Sequence, residues 1–260
     1  MSRKSGAILY PAILFVILLA IWQYLSSAGF VDPWILPSPL KVLSVFKEAP
    51  ALLWFHSKFT LISTLTGFAI SIVLGILTAI LMDMFSGIRK ALYPYLIISQ
   101  TIPIIAVAPI LIIWFGYGIS SKIFTVVLVC FFPIALNFGA GLANVNIEQI
   151  RLLKSMGASN WQIFRHLKTP SALPDLFTGL KLAATYSVMG AVIGEWLGGN
   201  GGLGIFMTRA SKSYLIHYVF AILVVIIVLS MALFLLINTL ERLLIRWSVK
   251  HKEEYLDPSD

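Results

Sequence analysis

The chain has 260 residues, of which 59% are hydrophobic and 12% are charged. A soluble domain usually carries about twice that charged fraction, so the composition excludes an ordinary soluble protein. The net charge of +8 could suggest a nucleic-acid partner. However, an excess of lysine and arginine in cytoplasmic loops is also typical of membrane proteins. We expect a membrane protein with no nucleic-acid partner.

Five stretches contain no Asp, Glu, Lys or Arg, and each exceeds the roughly 20 apolar residues that a helix needs to cross a bilayer. They are residues 5–31, 59–82, 91–121, 123–147 and 213–240. Backbone groups within hydrocarbon must be paired inside the segment, which predicts helices. Polarity does not alternate, as it would in a β-barrel. The predicted fold is all-α, a polytopic membrane protein with about six transmembrane helices.

In chain order, the first predicted span is Ile8 to Ser26. We interpret it as a retained helix, because its apolar run is longer than that of a signal peptide. A proline-rich polar stretch at 32–58 favours extended or turn backbone. The remaining spans are predicted near residues 59–82, 92–115, 123–142, 177–196 and 218–237.

The basic residues predict the topology. With the amino terminus inside, 13 of the 19 lie on the cytoplasmic side and 6 on the other. This asymmetry places both termini in the cytoplasm. Residues 1–260 are predicted to form one transmembrane permease domain. It includes a cytoplasmic loop at 144–175 and a cytoplasmic tail at 248–260.

The loop contains two short amphipathic helices on either side of Gly157, which permits a sharp change of direction. Ser159 or Asn160 can cap the second helix, and Pro170 and Pro174 are expected to end it before the fifth span. The apolar residues recur at three-residue spacing, which is typical of a helix face. Such a patch indicates a protein contact if it is exposed; the alternative is a helix lying on the lipid surface.

At these residues the chain resembles the permease family of binding-protein-dependent ABC importers. That family's coupling loop has Glu-Ala-Ala, three residues, Gly, nine residues and Ile-x-Leu-Pro. Gly157 matches, Leu167-Lys-Thr-Pro170 fills the last element with Thr169 in place of its Leu, and Arg151-Leu152-Leu153 replaces the leading triplet. Further resemblance lies in Ile35-Leu-Pro-Ser-Pro39, Thr101-Ile-Pro-Ile104, Trp114-Phe-Gly116, Gly194-Glu-Trp-Leu-Gly-Gly199 and Gly202-Leu-Gly204.

The last two motifs look most like the branch that handles thiamine-precursor pyrimidines of the hydroxymethylpyrimidine type. The nitrate, sulfonate and taurine branch is the alternative. The resemblance implies an inner-membrane homodimer, two ATPase subunits docked on its loops, and an external solute-binding protein. The chain has no G-x-x-x-x-G-K-[ST] loop, so we expect partner subunits to hydrolyse ATP. We expect no cofactor in this chain.

Two sets of candidate site residues follow. The residues expected to dock the ATPase are Leu153, Met156, Gly157, Ala158, Trp161, Phe164, Pro170, Leu173 and Pro174. Polar or helix-breaking residues within the apolar spans are candidates for the translocation path, namely Gln100, Thr101, Pro103 and Glu195. Gln100 could instead bond across helices, and Glu195 could be an interfacial residue beside Trp196.

Other patterns favour structural interpretations. Gly190-x-x-x-Gly194 could form a close helix-packing face. Gly199-x-Gly201-x-x-Gly204 matches a dinucleotide-binding fingerprint, but it follows a membrane helix and is predicted to be a turn. The four histidines show no metal-ligand spacing, so no metal site is expected.

Two further function classes fit the sequence less well. A stand-alone channel or secondary carrier would show more intramembrane charge or internal symmetry than this chain does. A membrane enzyme would need converging catalytic groups, but no G-x-S-x-G or H-E-x-x-H motif is present. We expect no catalytic residue.

Overall fold

The computed structural model describes residues 2–245, with side chains from residue 9 onward. The predicted tail at 248–260 lies outside these residues. Every regular element of the described chain is a helix. The helices are α1 (Ser2–Ser27), α2 (Pro39–Glu48), α3 (Pro50–Met84), α4 (Ser86–Ser99), α5 (Ile104–Phe115), α6 (Ile119–Ala143), α7 (Ile147–Ser155), α8 (Asn160–Ile163), α9 (Thr169–Trp196), α10 (Leu203–Lys212) and α11 (Ile216–Leu244).

Five helices in the described chain are long and apolar enough to cross a membrane, and the number is six if a bent pair is counted as one broken span. The five are formed by α1, α3, α6, α8 with α9, and α11, in agreement with the predicted count. The bent pair, α4 and α5, turns by 105°. The third predicted span, near residues 92–115, is therefore interrupted between Ser99 and Ile104. Pro103 lacks an N–H group and disfavours helical backbone at the residue before it, so the helix ends near Gln100.

The centre of the bundle is formed by α6, which packs against α3 on one side and α9 on the other. The predicted packing face on α9 is confirmed. A Cβ at Gly190 would lie 3.4 Å from the Cα of Val126, and one at Gly194 would lie 3.2 Å from the Cα of Lys122. Glycine therefore lets the two helix backbones approach closely. Helices α1 and α11 lie at the periphery and leave most of their apolar surface exposed.

Prolines start helices at two positions where the sequence predicted irregular backbone. Pro39 and Pro50 are the first residues of α2 and α3. Proline is favoured there because its missing N–H group would have no intrahelical partner in any case. The side chain of Ser38 also caps α2, accepting from Lys41 N at 3.3 Å. The second span therefore begins earlier than predicted.

Pro170 and Pro174 do not end the helix before the fifth span, contrary to our prediction. Pro170 lies in the first turn of α9, and Pro174 lies inside α9. A π-helical turn at Phe164–Lys168 joins α8 to α9 without a break. In a regular helix the ring of Pro170 would clash with the carbonyl of His166. Here that carbonyl lies in the wider π-helical turn.

Candidate functional site

The segment between α6 and α9 forms the bent helical pair that its glycine predicted. A Schellman motif ends α7, in which Gly157 N donates to Lys154 O and Ala158 N donates to Leu153 O, both at 3.0 Å. The φ of Gly157 is 83°, a conformation that side chains disfavour. A Cβ at this position would meet nothing within 4 Å. The backbone conformation, and not the available space, therefore requires glycine.

A capping box starts the second helix of the pair. Gln162 N donates to Ser159 Oγ at 3.3 Å, and Ser159 N donates to Gln162 Oε1 at 2.7 Å. Of the two predicted caps, Ser159 and Asn160, Ser159 caps this helix and Asn160 is its first residue. Together with the Schellman motif, the box satisfies backbone groups on both sides of Gly157 and fixes the direction in which α8 leaves the bend.

The bend presents large apolar side chains on its outer surface. Met156 is 73% exposed and Trp161 is 63% exposed. Trp161 stacks on Phe164, with ring centroids 5.6 Å apart. Ile163, in contrast, is buried, so α8 is anchored to the bundle on its opposite face. A rigid, exposed apolar patch of this kind is typical of a protein contact.

Of the nine predicted docking residues, the three that are exposed are Met156, Gly157 and Trp161. Phe164 and Leu173 pack against the main hydrophobic core. The rest are half-buried, and the two prolines among them belong to α9. These residues are Leu153, Ala158, Pro170 and Pro174.

An ion pair that the sequence analysis missed joins this segment to the bundle. Lys168 Nζ donates to the two carboxyl oxygens of Asp83 at 2.7 and 2.9 Å. The two side chains are partly buried beside a groove of about 530 Å³. The pair connects the end of α3 to the π-helical turn that leads into α9. The sequence could have suggested this pair, because Asp83 and Lys168 have opposite charges and lie on the same predicted side of the membrane.

A second cavity, of about 550 Å³, lies where α4 and α5 meet. Gln100 and Pro103, two of the candidates for the translocation path, line it. Thr101 does not line it; its Oγ1 donates to Ile98 O at 2.7 Å. The other lining residues are Ser99, Ile102, Ile104, Val107, Leu128, Val129, Phe132, Pro133, Tyr186 and Met189.

Glu195 does not line this cavity, and it is not an exposed interfacial residue either. Its side chain is fully buried, whereas neighbouring Trp196 is 41% exposed. Thr60 Oγ1 donates to Glu195 Oε1 at 2.9 Å, across 135 residues of sequence. In this structure Glu195 therefore bonds within the bundle, and its role in the translocation path stays a prediction.

The partners of Glu195 hold the glycine-rich turn that precedes α10. Three consecutive backbone N–H groups donate to side chains of α3 and α9. These are Gly202 N to His56 Nδ1 (3.2 Å), Leu203 N to Thr60 Oγ1 (2.9 Å) and Gly204 N to Glu195 Oε2 (2.8 Å). The fingerprint at 199–204 is therefore a turn between two helices, as predicted. We call His56, Thr60 and Glu195 the turn-binding triad.

Comparisons with known proteins agree with this helical arrangement. A sequence model of the family described as binding-protein-dependent transport system inner membrane component matches residues 71–247. The formylaminopyrimidine transport permease protein ThiX of Halalkalibacterium halodurans is 40% identical over 249 residues, covering 95% of this chain and 99% of that protein.

Two further relatives are more distant. The riboflavin transport system permease protein RibX of Chloroflexus aurantiacus is 34% identical, covering 89% of this chain and 87% of that protein. The taurine transport system permease protein TauC of Escherichia coli is 29% identical, covering 89% and 86%. Among solved structures, the inward-facing MetNI methionine ABC transporter matches with a TM-score of 0.60 and 20% identity. The match covers 76% of this chain and 97% of that one, and at this identity it concerns the fold alone.

Proposed function

The chain belongs to the family of binding-protein-dependent transport system inner membrane components. We propose that the bend at Gly157 couples it to ATP hydrolysis and that its solute is a pyrimidine. It is a multi-pass permease subunit of an ABC importer in the inner membrane. It works in a complex with ATPase subunits and a solute-binding protein. The family predicted from the motifs is confirmed, and it replaces the alternatives of a stand-alone channel or carrier.

The exposed bend formed by Met156, Gly157 and Trp161 is the surface to which the ATPase binds. The observation that carries this proposal is the exposure of two large apolar side chains on a bend that hydrogen bonds hold on both sides. A well-placed tryptophan is a common energetic anchor of protein interfaces. Because the π-helical turn and the Asp83–Lys168 pair tie the bend to α9 and α3, a displacement of the bend moves the helices as a rigid body.

This proposal also specifies the sides of the membrane. The bend faces the cytoplasm, where the ATPase resides, and both termini share that side, in keeping with 13 of the 19 basic residues. The partner subunits hydrolyse the ATP, since this chain lacks a phosphate-binding loop sequence. We propose no cofactor for this chain. Two copies of it form the permease, and each presents one bend to one ATPase subunit.

The solute is an uncharged pyrimidine of the thiamine-precursor class. The support is the 40% identity to a formylaminopyrimidine permease over nearly the whole chain. A nitrate, sulfonate or taurine solute is the alternative, and the taurine relative is 29% identical. The solute assignment is therefore separate from the assignment of the docking surface, and each needs its own measurement.

One reconstitution tests both assignments. The permease is assembled in proteoliposomes with its ATPase and binding protein, and uptake of formylaminopyrimidine is compared with uptake of taurine. Trp161→Ala should weaken ATPase binding about 30-fold, as loss of an interface anchor worth about 2 kcal/mol does. Trp34→Ala is the matched control, because Trp34 is 67% exposed and lies in the loop before α2. If both variants bind the ATPase with equal affinity, the assignment of the docking surface is refuted. Preferred uptake of taurine would refute the assignment of the solute.

A further inference from the structure

The cavity at the break between α4 and α5 has the construction of a solute site. It lies halfway along α6, since Leu128 to Pro133 form part of its wall in a helix that spans Ile119–Ala143. Its volume of about 550 Å³ is in the usual range for small-molecule sites, roughly 300 to 1,000 Å³. Interrupted membrane helices commonly build substrate sites near the middle of the bilayer, because irregular backbone is tolerated there only beside a cavity.

The walls of the cavity carry no charge. None of its lining residues is Asp, Glu, Lys, Arg or His. An anion that entered would lose its hydration without gaining a countercharge, which is strongly unfavourable. An uncharged solute does not meet this penalty. The uncharged walls therefore favour a pyrimidine over a nitrate, sulfonate or taurine solute. They distinguish the two classes more sharply than the overall sequence similarity does.

The polar groups of the cavity are few and suit a hydrogen-bonding edge. The Gln100 side chain is exposed and makes no hydrogen bond to another described residue. Its amide can both donate and accept. Ser99 Oγ already donates to Tyr95 O at 2.7 Å, so toward a solute it can only accept a hydrogen bond. Phe132 and Tyr186 add aromatic surface, which favours contact with a flat ring.

We propose that this cavity is half of a binding site for an uncharged, planar nitrogen heterocycle. Gln100 hydrogen-bonds the edge of the ring, and Phe132 and Tyr186 contact its face. Tyr186 and Met189 are 41% and 45% exposed, so the cavity is open toward the outside of the chain, where the second copy completes it. This inference rests on the proposed importer function and names the chemistry that the translocation path selects.

Protection of an introduced thiol measures binding without requiring transport. The native chain has one cysteine, Cys130, which is fully buried, so Met189→Cys provides an accessible thiol in the cavity wall. Formylaminopyrimidine should slow labelling of this thiol by a maleimide in the permease–ATPase complex. Methanesulfonate and nitrate should not. Ser213→Cys is the control, because Ser213 is exposed in the turn between α10 and α11, and its thiol should be labelled equally fast with each compound.

A second substitution tests the hydrogen bond. In the Met189→Cys background, Gln100→Leu should raise the formylaminopyrimidine concentration needed for half-protection about tenfold, the effect of one lost hydrogen bond. Thr239→Val, which removes a polar group from α11, should leave it unchanged. Absence of protection, or equal protection by the anions, would overturn the inference. Failure of ATP-driven uptake with protection intact would refute the proposed transport instead.

Discussion

Thr60 of the turn-binding triad both accepts and donates a hydrogen bond, so its replacement has an effect that can be worked out from the structure. Its hydroxyl accepts from Leu203 N at 2.9 Å and donates to Glu195 Oε1 at 2.9 Å, with Thr60 itself fully buried. Thr60→Val keeps the shape of the side chain and removes both bonds. A backbone N–H group and a carboxyl group are then left underbonded where water cannot reach them.

The expected loss of stability follows from these two bonds. A buried hydrogen bond between neutral groups contributes about 1 kcal/mol, and one to a carboxylate contributes about 1.5 to 3 kcal/mol. The variant should therefore lose about 3 kcal/mol of unfolding free energy. Each kcal/mol lowers Tm by about 2 to 4 °C in a chain of this size, so the shift should be about 6 to 12 °C.

Cys130 provides the assay, because its thiol is buried and becomes reactive toward a fluorogenic maleimide when the bundle unfolds. Thr64→Val is the matched control one turn along α3. The hydroxyl of Thr64 is buried but has no hydrogen-bond partner in the described chain, so its removal should leave Tm unchanged or raise it. Thr60→Ser, which keeps the hydroxyl, should retain most of the stability. Equal Tm values for the two valine variants would refute the reasoning.

Three further perturbations test other parts of the molecule. Gly157→Leu should cost about 1 to 2 kcal/mol locally, because of its left-handed backbone, and should lower uptake more than ATP hydrolysis; undiminished coupled uptake would contradict a role in coupling. Asp83→Lys should lower Tm, and the exchanged pair Asp83→Lys with Lys168→Asp should recover about 1 kcal/mol in a double-mutant cycle; additive effects would mean that the ion pair contributes nothing. Gly194→Leu should separate α6 from α9 and cost about 2 kcal/mol or more by overpacking. Gly87→Leu, at a position where an added Cβ meets nothing within 4 Å, should be tolerated; equal Tm values for these two leucine variants would contradict the close packing.

The elements that the sequence predicted correctly depend on neighbours in the chain. The charge-free runs predicted the spans because each membrane helix pairs its own backbone groups. The bend at Gly157 and the cap at Ser159 were also accessible, since a left-handed backbone and a capping box involve residues at most a few positions apart. The packing face at Gly190 and Gly194 was recognisable for the same reason.

Prolines show where local reasoning failed. Pro103 breaks the third span, whereas Pro109 and Pro174 lie inside continuous helices. Every proline lacks a backbone N–H group, so whether it breaks a helix depends on the surrounding backbone. At Pro170 a π-helical turn precedes the ring and accommodates it. Sequence reasoning could not distinguish these cases, because neighbouring helices determine which distortion is tolerated.

Sequence alone therefore determined that the chain is a helical membrane protein with a glycine bend on one face, since apolar run length and turn chemistry are local properties. The tertiary structure decided which of the predicted site residues share a surface. It placed Gln100 in an uncharged cavity and buried Glu195 against Thr60, 135 residues away. A polar side chain in a membrane helix is satisfied by whichever helix packs beside it, and that neighbour is set by the packing of the whole bundle.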